Sequence, residues 1–241
     1  MKYRSHRGGV FYTPENTMPA FYDALEKGFE YIETDPNCTK DGKVILMHDY
    51  TINRTCRNPD GSEIKEAISV SDHTFDELLQ YDAGLCAGKQ FKGTKIPLLE
   101  ELLAAAEDKN VVISLDKKIE TDKLDILFDV VAKYKTKVSF SVADIKRIEK
   151  ILRRFPDALI DYDGPATDEM LGQVTAMVKP ENLIVWLYMD KPNFDWLEPI
   201  RKVSSENCAR VKRYATLGIG NINNAYDVFE ALAFAPDIIE V

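Results

Sequence analysis

His6 and His48, two of the chain's three histidines, flank a stretch that also carries Glu33 and Asp35. Two imidazoles beside acids suit proton transfer near neutral pH, because imidazole titrates there. Glu33 and Asp35 are two apart on a strand-like run, so both side chains project to one face. Acids this close need a counter-charge to stay ionised. Asp116, closing the apolar run Val111–Leu115, supplies a third carboxylate. Three carboxylates without clustered cysteine or histidine make an all-oxygen site, suited to Mg²⁺ or Ca²⁺ rather than Zn²⁺. The alternative is that these acids pair with Arg7, Lys117 or Lys118 and hold no ion. Arg7 can fork onto a phosphate or a carboxylate, the alternative to a ligand being an ion pair with Glu15 or Glu33.

These residues need elements that end beside one another. Lys2–Arg7 reads as a strand and Thr17–Lys27 as a helix stopped by Gly28. Phe29–Pro36 is a second strand, and Asp41-Gly42 turns the chain so that Lys43–Met47 folds back on it, carrying His48. Pro14-Glu15-Asn16-Thr17 reads as a helix cap, with Asn16 or Thr17 as the capping residue. Glu15 or Asn16 is also placed to touch a ligand or metal at that helix start. Residues 50–96 are turn-rich, with one helix over Phe75–Tyr81, and read as a small insertion over one end of the main body. His73 there is expected to be solvated.

From Leu98 onward helices and strands alternate: strands at Val111–Leu115, Lys137–Ser141, Ala158–Tyr162, Asn182–Tyr188, Val211–Leu217 and Asp237–Val241, with helices between, one of them Phe194–Ser204. With the first two strands the count is eight. Residues 1–241 therefore read as one (β/α)8 TIM-barrel domain. A doubly wound open sheet is the competing reading, but HRGGVFYTPEN lacks the G-x-G-x-x-G spacing. In the barrel, His6, Glu33, Asp35, Asp116 and Ser141 all lie at strand ends and would face one another.

A formal net charge of −9 argues against a nucleic-acid partner. The N-terminus has no apolar leader and no segment is long enough to span a membrane, so a cytoplasmic protein is expected. Cys38, Cys56, Cys86 and Cys208 are scattered and read as free thiols, a pair among the first three being the alternative.

The ordered series His6-Arg7-Gly8, Pro14-Glu15-Asn16-Thr17, Glu33-x-Asp35, Thr39-Lys40-Asp41-Gly42, His48-Asp49, Asn53-Arg54-Thr55, Asp82-Ala83-Gly84 and Ile96–Glu101 resembles the glycerophosphodiester phosphodiesterases, part of the PI-phospholipase C-like superfamily. The resemblance implies a TIM barrel with a small insertion after the second strand, over the catalytic face. It also implies metal-dependent hydrolysis of a glycerophosphodiester to glycerol 3-phosphate and an alcohol. His6 and His48 would be the acid–base pair. Glu33 and Asp35 would bind one divalent cation, Mg²⁺ or Ca²⁺, with Asp116 where the family has a glutamate. Arg7 and Lys118 would hold the phosphate. The family's late Trp-Thr-x-Asn motif has no clean match, and Trp186 and Tyr188 are candidates for lining the alcohol pocket or for packing the barrel. Two further readings are a lysophospholipase D or phospholipase C-like enzyme, needing an apolar lip for which Phe75, Leu78, Leu79 and Phe91 are candidates, and a non-catalytic barrel binding a phosphorylated ligand.

Overall fold

The computed structural model describes residues 1–9, 11–191 and 197–241. Its first elements are β1 (Lys2–Ser5), α1 (Met18–Lys27), β2 (Tyr31–Thr34), β3 (Pro36–Cys38), β4 (Val44–Leu46), α2 (Phe75–Leu78) and α3 (Leu99–Ala106). There follow β5 (Val112–Leu115), α4 (Leu124–Val131), β6 (Lys137–Val142), α5 (Ile145–Arg154), β7 (Leu159–Tyr162) and α6 (Asp168–Thr175). The last are β8 (Leu183–Tyr188), α7 (Ser205–Val211), β9 (Thr216–Gly220), α8 (Ala225–Leu232) and β10 (Ile238–Glu240). The strand order is β1-β10-β9-β8-β7-β6-β5-β2 in a closed parallel barrel, the (β/α)8 fold expected from the alternation. No helix among the described residues is long and apolar enough to cross a membrane. All four cysteines are free thiols.

The chain separates into two compact units, Ser5–Lys137 and Met1–Arg4 with Val138–Val241. In the first, β2 and β5 pair in parallel with Glu33 opposite Ser114 and Thr34 opposite Leu115. β4 does return antiparallel, but onto β3, a separate short strand beyond β2. The turn is held by Asp41, whose carboxylate accepts from Thr39 Oγ1 at 2.6 Å and from the Phe75 N–H at 3.0 Å. The insertion packs its own apolar cluster of Ile52, Cys56, Val70, Leu78, Ala83 and Ile96 against Ile45 and Met47 of the arm. His73 is half-buried rather than solvated, its Nδ1 bonded to the Ser69 carbonyl at 2.8 Å.

In the second unit β7, β8 and β9 pair in parallel, and β10 joins β9 to β1. Two sequence expectations shift here. The helix over Phe194–Ser204 falls partly on 192–196, outside the described residues, and the observed helix α7 begins at Ser205, capped by the Ser204 hydroxyl. The strand expected over Val211–Leu217 is β9, starting five residues later and containing Gly218 and Gly220. Glycines lower strand propensity, which masked it. Their presence has a packing reason: a Cβ on Gly218 would come within 2.6 Å of the Trp186 ring.

Overpacking of this kind costs about 1–3 kcal/mol, and about 2–4 °C per kcal/mol at this chain length. Gly218→Ala is therefore expected to lower the melting temperature by several degrees in scanning calorimetry. An unchanged transition would refute the close approach.

Candidate active site

The first unit assembles the charged residues singled out above around Asp35. β1 ends at Ser5, and His6–Gly8 form a tight turn, kinked at Arg7, rather than more strand. Arg7 in that turn has φ +51°, a left-handed conformation uncommon for any residue other than glycine. Gly8 is required beside it, because its φ is +80° and a Cβ would meet Phe21 at 2.8 Å. The turn aims the Arg7 N–H at Glu33 Oε2, 2.8 Å away. The Arg7 guanidinium donates to Glu15 Oε1 at 3.0 Å and lies 3.5 Å from Asp35 Oδ2.

Asn16 is also left-handed, φ +54°, and almost wholly buried. Its backbone N–H donates to the Arg7 carbonyl at 2.9 Å. Its side chain does not cap α1. Nδ2 donates to Asp35 Oδ2 at 2.8 Å, while Oδ1 accepts from Thr34 Oγ1 at 2.8 Å and the Asp35 N–H at 3.2 Å. Thr17 occupies the cap position, but its hydroxyl donates to the Pro14 carbonyl at 2.6 Å. The expected capping role therefore belongs to neither side chain. Asn16 instead fixes the orientation of Asp35, a role a buried asparagine can fill with donor and acceptor together.

Asp35 lies just past β2 and Asp116 just past β5, where the Asp116 N–H donates to the Thr34 carbonyl at 2.9 Å. Lys118 Nζ stands between their carboxylates, 3.5 Å from Asp35 Oδ1 and 3.3 Å from Asp116 Oδ2. Burial would raise the Asp116 pKa, but the Lys117 and Lys118 ammonium groups outweigh it and hold the carboxyl below its usual value. His48 follows Met47, whose N–H is held by the Asp35 carbonyl at 2.9 Å. The arm thus delivers His48 to the neighbourhood of the carboxylates. Its Nδ1 meets Asp49 Oδ1 at 2.6 Å. Burial pushes Asp49 up, but hydrogen bonds from Arg54 and His48 and their charges prevail and hold it at about 2. An ionised carboxylate only accepts, so the proton of this bond belongs to Nδ1, and in the neutral imidazole Nε2 is then the nitrogen without a proton.

The donor set for a cation is all oxygen, and two carboxylates from neighbouring strands already share one positive charge, the Lys118 ammonium. That chemistry fits a hard divalent ion at Asp35 and Asp116. Among the described residues, no three His, Cys, Asp or Glu side chains close on one point as a ready-made cage.

Ser141, Trp186 and Tyr188 belong to the other unit. Ser141 is buried on β6, its carbonyl accepting from Arg147 Nε at 3.2 Å. Trp186 is buried with its Nε1–H on Asp161 at 3.1 Å and the Arg4 guanidinium 3.3 Å from its ring centroid. Tyr188 is half-buried and donates its hydroxyl to Asp163 Oδ1 at 2.7 Å. Two residues that sequence reasoning left without a role, Asp49 and Arg54, join the first unit's cluster. The signal was there in the alternation of charge, since Arg54 follows Asp49 by five residues, but no spacing rule links it to Glu15.

Residues 6–157, more than half of the chain, match the glycerophosphoryl diester phosphodiesterase family. The chain belongs to this family. A glycerophosphodiester phosphodiesterase from Caldanaerobacter subterraneus subsp. tengcongensis is 38% identical over 114 residues, covering 47% of this chain and 44% of that protein. The chain thus aligns with less than half the length of this curated relative. Among solved structures, an Oleispira antarctica phosphodiesterase in complex with the product sn-glycerol-3-phosphate superposes with a TM-score of 0.80 at 16% identity, covering 100% of this chain and 92% of that one. The glycerophosphodiester phosphodiesterase from Thermotoga maritima superposes with a TM-score of 0.69 at 22% identity, covering 100% and 93%. At these identities the superpositions establish a shared fold. The family match covers every residue of the cluster around Asp35, and ends before β7.

Two outcomes test this geometry. Asn16→Ala strips a buried carboxylate of its neutral donor and is expected to cost about 3 kcal/mol in urea unfolding, with a loss below about 1 kcal/mol counting against the assignment. Asp49 is more acidic folded, at about 2, than its ordinary 3.8, so its contribution is present above about pH 4 and lost as pH falls through about 2. The acid limb of the stability curve should accordingly be shallower in Asp49→Asn over that window, and a superimposable limb would exclude the pairing.

Proposed function

We propose that this chain hydrolyses glycerophosphodiesters to glycerol 3-phosphate and an alcohol, using His6 and His48 as the acid–base pair and a divalent cation, Mg²⁺ or Ca²⁺, held by Glu33, Asp35 and Asp116. One observation carries the reading: positive groups and an imidazole are anchored next to the family's acidic residues, with Arg7 and Lys118 both against Asp35 and His48 locked by Asp49. The names of the family and of the curated relative supply the substrate class.

A phosphodiester carries one negative charge and concentrates more on its non-bridging oxygens as the reaction proceeds. Arg7 offers a planar fork and Lys118 a point charge, and both strengthen their hold as that charge grows. His48, pinned through Nδ1, presents Nε2 for proton transfer, and His6 supplies the second imidazole. When bound, the divalent ion adds Lewis-acid stabilisation of the phosphoryl oxygens and a template for the attacking oxygen. Asp116 is one methylene shorter than the glutamate the resemblance leads one to expect, and Lys118 Nζ lies 3.3 Å from its carboxylate.

A second reading is favoured by one surface feature. Phe11, Tyr12 and Tyr50 are exposed large aromatics adjoining the His6–Gly9 turn and the His48-Asp49 pair in sequence. They, and not the buried Leu78 of the insertion, are the candidates for an apolar lip that a lysophospholipid would need.

The experiment is hydrolysis of glycerophosphocholine, of its ethanolamine, inositol and glycerol analogues and of lysophosphatidylcholine, with and without EDTA, by wild type and His6→Ala. Turnover of the glycerophosphodiesters should vanish with chelator and return with Mg²⁺ or Ca²⁺. His6→Ala should lose about 10²-fold or more. Chelator-resistant turnover removes the ion from the mechanism, and undiminished turnover in His6→Ala removes that imidazole. Preference for lysophosphatidylcholine would select the second reading.

A further inference from the structure

Arg54 sits in the insertion after β4, yet its guanidinium reaches two carboxylates at once. Nε and Nη2 donate to Asp49 at 2.6 and 3.1 Å, and Nη1 and Nη2 donate to Glu15 at 2.9 and 2.7 Å. Among the described residues each carboxylate has one further side-chain partner, and each partner belongs to the proposed machinery. Asp49 takes His48 Nδ1, and Glu15 takes Arg7 Nη1. A single planar group therefore joins the imidazole at one end to the phosphate arginine at the other. Stability accounts for only part of it. The Arg54 side chain is 47% exposed, and ion pairs in that setting contribute little. A rigid fork with four donor contacts does fix two acceptors relative to each other, which a point charge cannot do.

We propose that Arg54 is a positioning residue that sets His48 and Arg7 relative to each other through Asp49 and Glu15, making the insertion part of the catalytic apparatus. The proposal rests on the phosphodiesterase reading for its kinetic consequence, but its structural consequence is independent of any substrate. Without Arg54, the Asp49 carboxylate loses its anchor and swings toward water, so its bond to His48 is made only part of the time, and Glu15 keeps Arg7 as its partner among the described residues. Both ends of the site then sample more orientations, and a displacement of about 1 Å at a reacting group can cost about 10²-fold in rate. Lysine in place of Arg54 restores the charge but not the fork. Because Arg54 lines an open cleft of about 170 Å³ with Thr13, Pro14 and Cys86, truncating it enlarges a solvent-facing space rather than a core cavity.

Two measurements on the full chain test this. The first is steady-state hydrolysis of glycerophosphocholine by wild type, Arg54→Ala, Arg54→Lys and Arg54→Ala/Asp49→Asn. Arg54→Ala should lower kcat about tenfold or more with a smaller change in KM, Arg54→Lys should recover only part, and the double variant should fall little further than Arg54→Ala alone. The second is ¹H–¹⁵N NMR of the imidazole nitrogens at about pH 8, above the ordinary imidazole value of about 6.5. With three histidines in the chain, His48 is identified by the signals lost in His48→Ala. Wild type should show His48 as the Nδ1–H tautomer, and Arg54→Ala should shift it toward the mixture of a free imidazole. If Arg54→Ala melts more than about 5 °C below wild type, Arg54→Lys is read in its place. Kinetic constants within twofold of wild type, or an unchanged His48 tautomer, overturn the proposal. A wild type that hydrolyses no diester while the tautomer still follows Arg54 supports the clamp and overturns the phosphodiesterase reading instead.

Discussion

The constraint on which the cluster depends is the burial of Asp35. Its side chain is only 2% exposed, and an ionised carboxylate so removed from water is tolerable only with partners on several sides. The chain supplies them from three places: Asn16 as neutral donor, Arg7 and Lys118 as flanking charges. Meeting that demand puts two non-glycine residues, Arg7 and Asn16, into left-handed backbone. Strain of this kind costs about 1–3 kcal/mol per residue, whereas stripping a buried charge of its partners costs about 3–5 kcal/mol. The electrostatic demand is of the same size as the strain of the two residues together and offsets it, and the turn in turn aims the Arg7 N–H at Glu33.

From Asp35 outward, charge alternates through the first unit. Lys118 and Asp116 lie on one side, and Arg7, Glu15, Arg54, Asp49 and His48 on the other. Burial falls along this run, from the enclosed Asp35 to the half-exposed Arg54. The physical meaning of the contacts changes with it. Near Asp35 they offset desolvation. Near Arg54, where water screens each pair, their value lies in direction rather than in energy. An anion entering such a field would meet fixed positive groups whose own counter-charges are already oriented, so little reorganisation would be needed to hold it.

The second unit solves a different packing problem. Arg4 is buried with Glu240 at 2.6 Å and Asp161 at 3.7 Å, and its guanidinium stacks on Trp186. Ser139 and Trp186 each donate to Asp161, so the acid in this core is surrounded by donors from three strands. The bulk of the indole is accommodated by Gly218 on the neighbouring strand. The indole of Trp186 is thus part of the internal order of this unit.

Periodicity and turn chemistry in the sequence were enough to determine the barrel and the Asp41-Gly42 turn, and to single out the acids of the first unit for attention. Those features follow from local rules: alternation of strands and helices, a stop at Gly28, and acids two apart on one strand. Where local rules misled, a distant partner had intervened. β9 was masked by glycines that exist for Trp186, and Asn16 was read as a cap because its true partner, Asp35, is nineteen residues away. Only the tertiary structure decided that one cation, Lys118, serves Asp35 and Asp116, and that Arg54 reaches back thirty-nine residues to Glu15. Hydrogen bonds and ion pairs between residues so far apart leave no periodic trace along the chain. They are set when strand register and a returning arm bring the side chains within about 3 Å of each other.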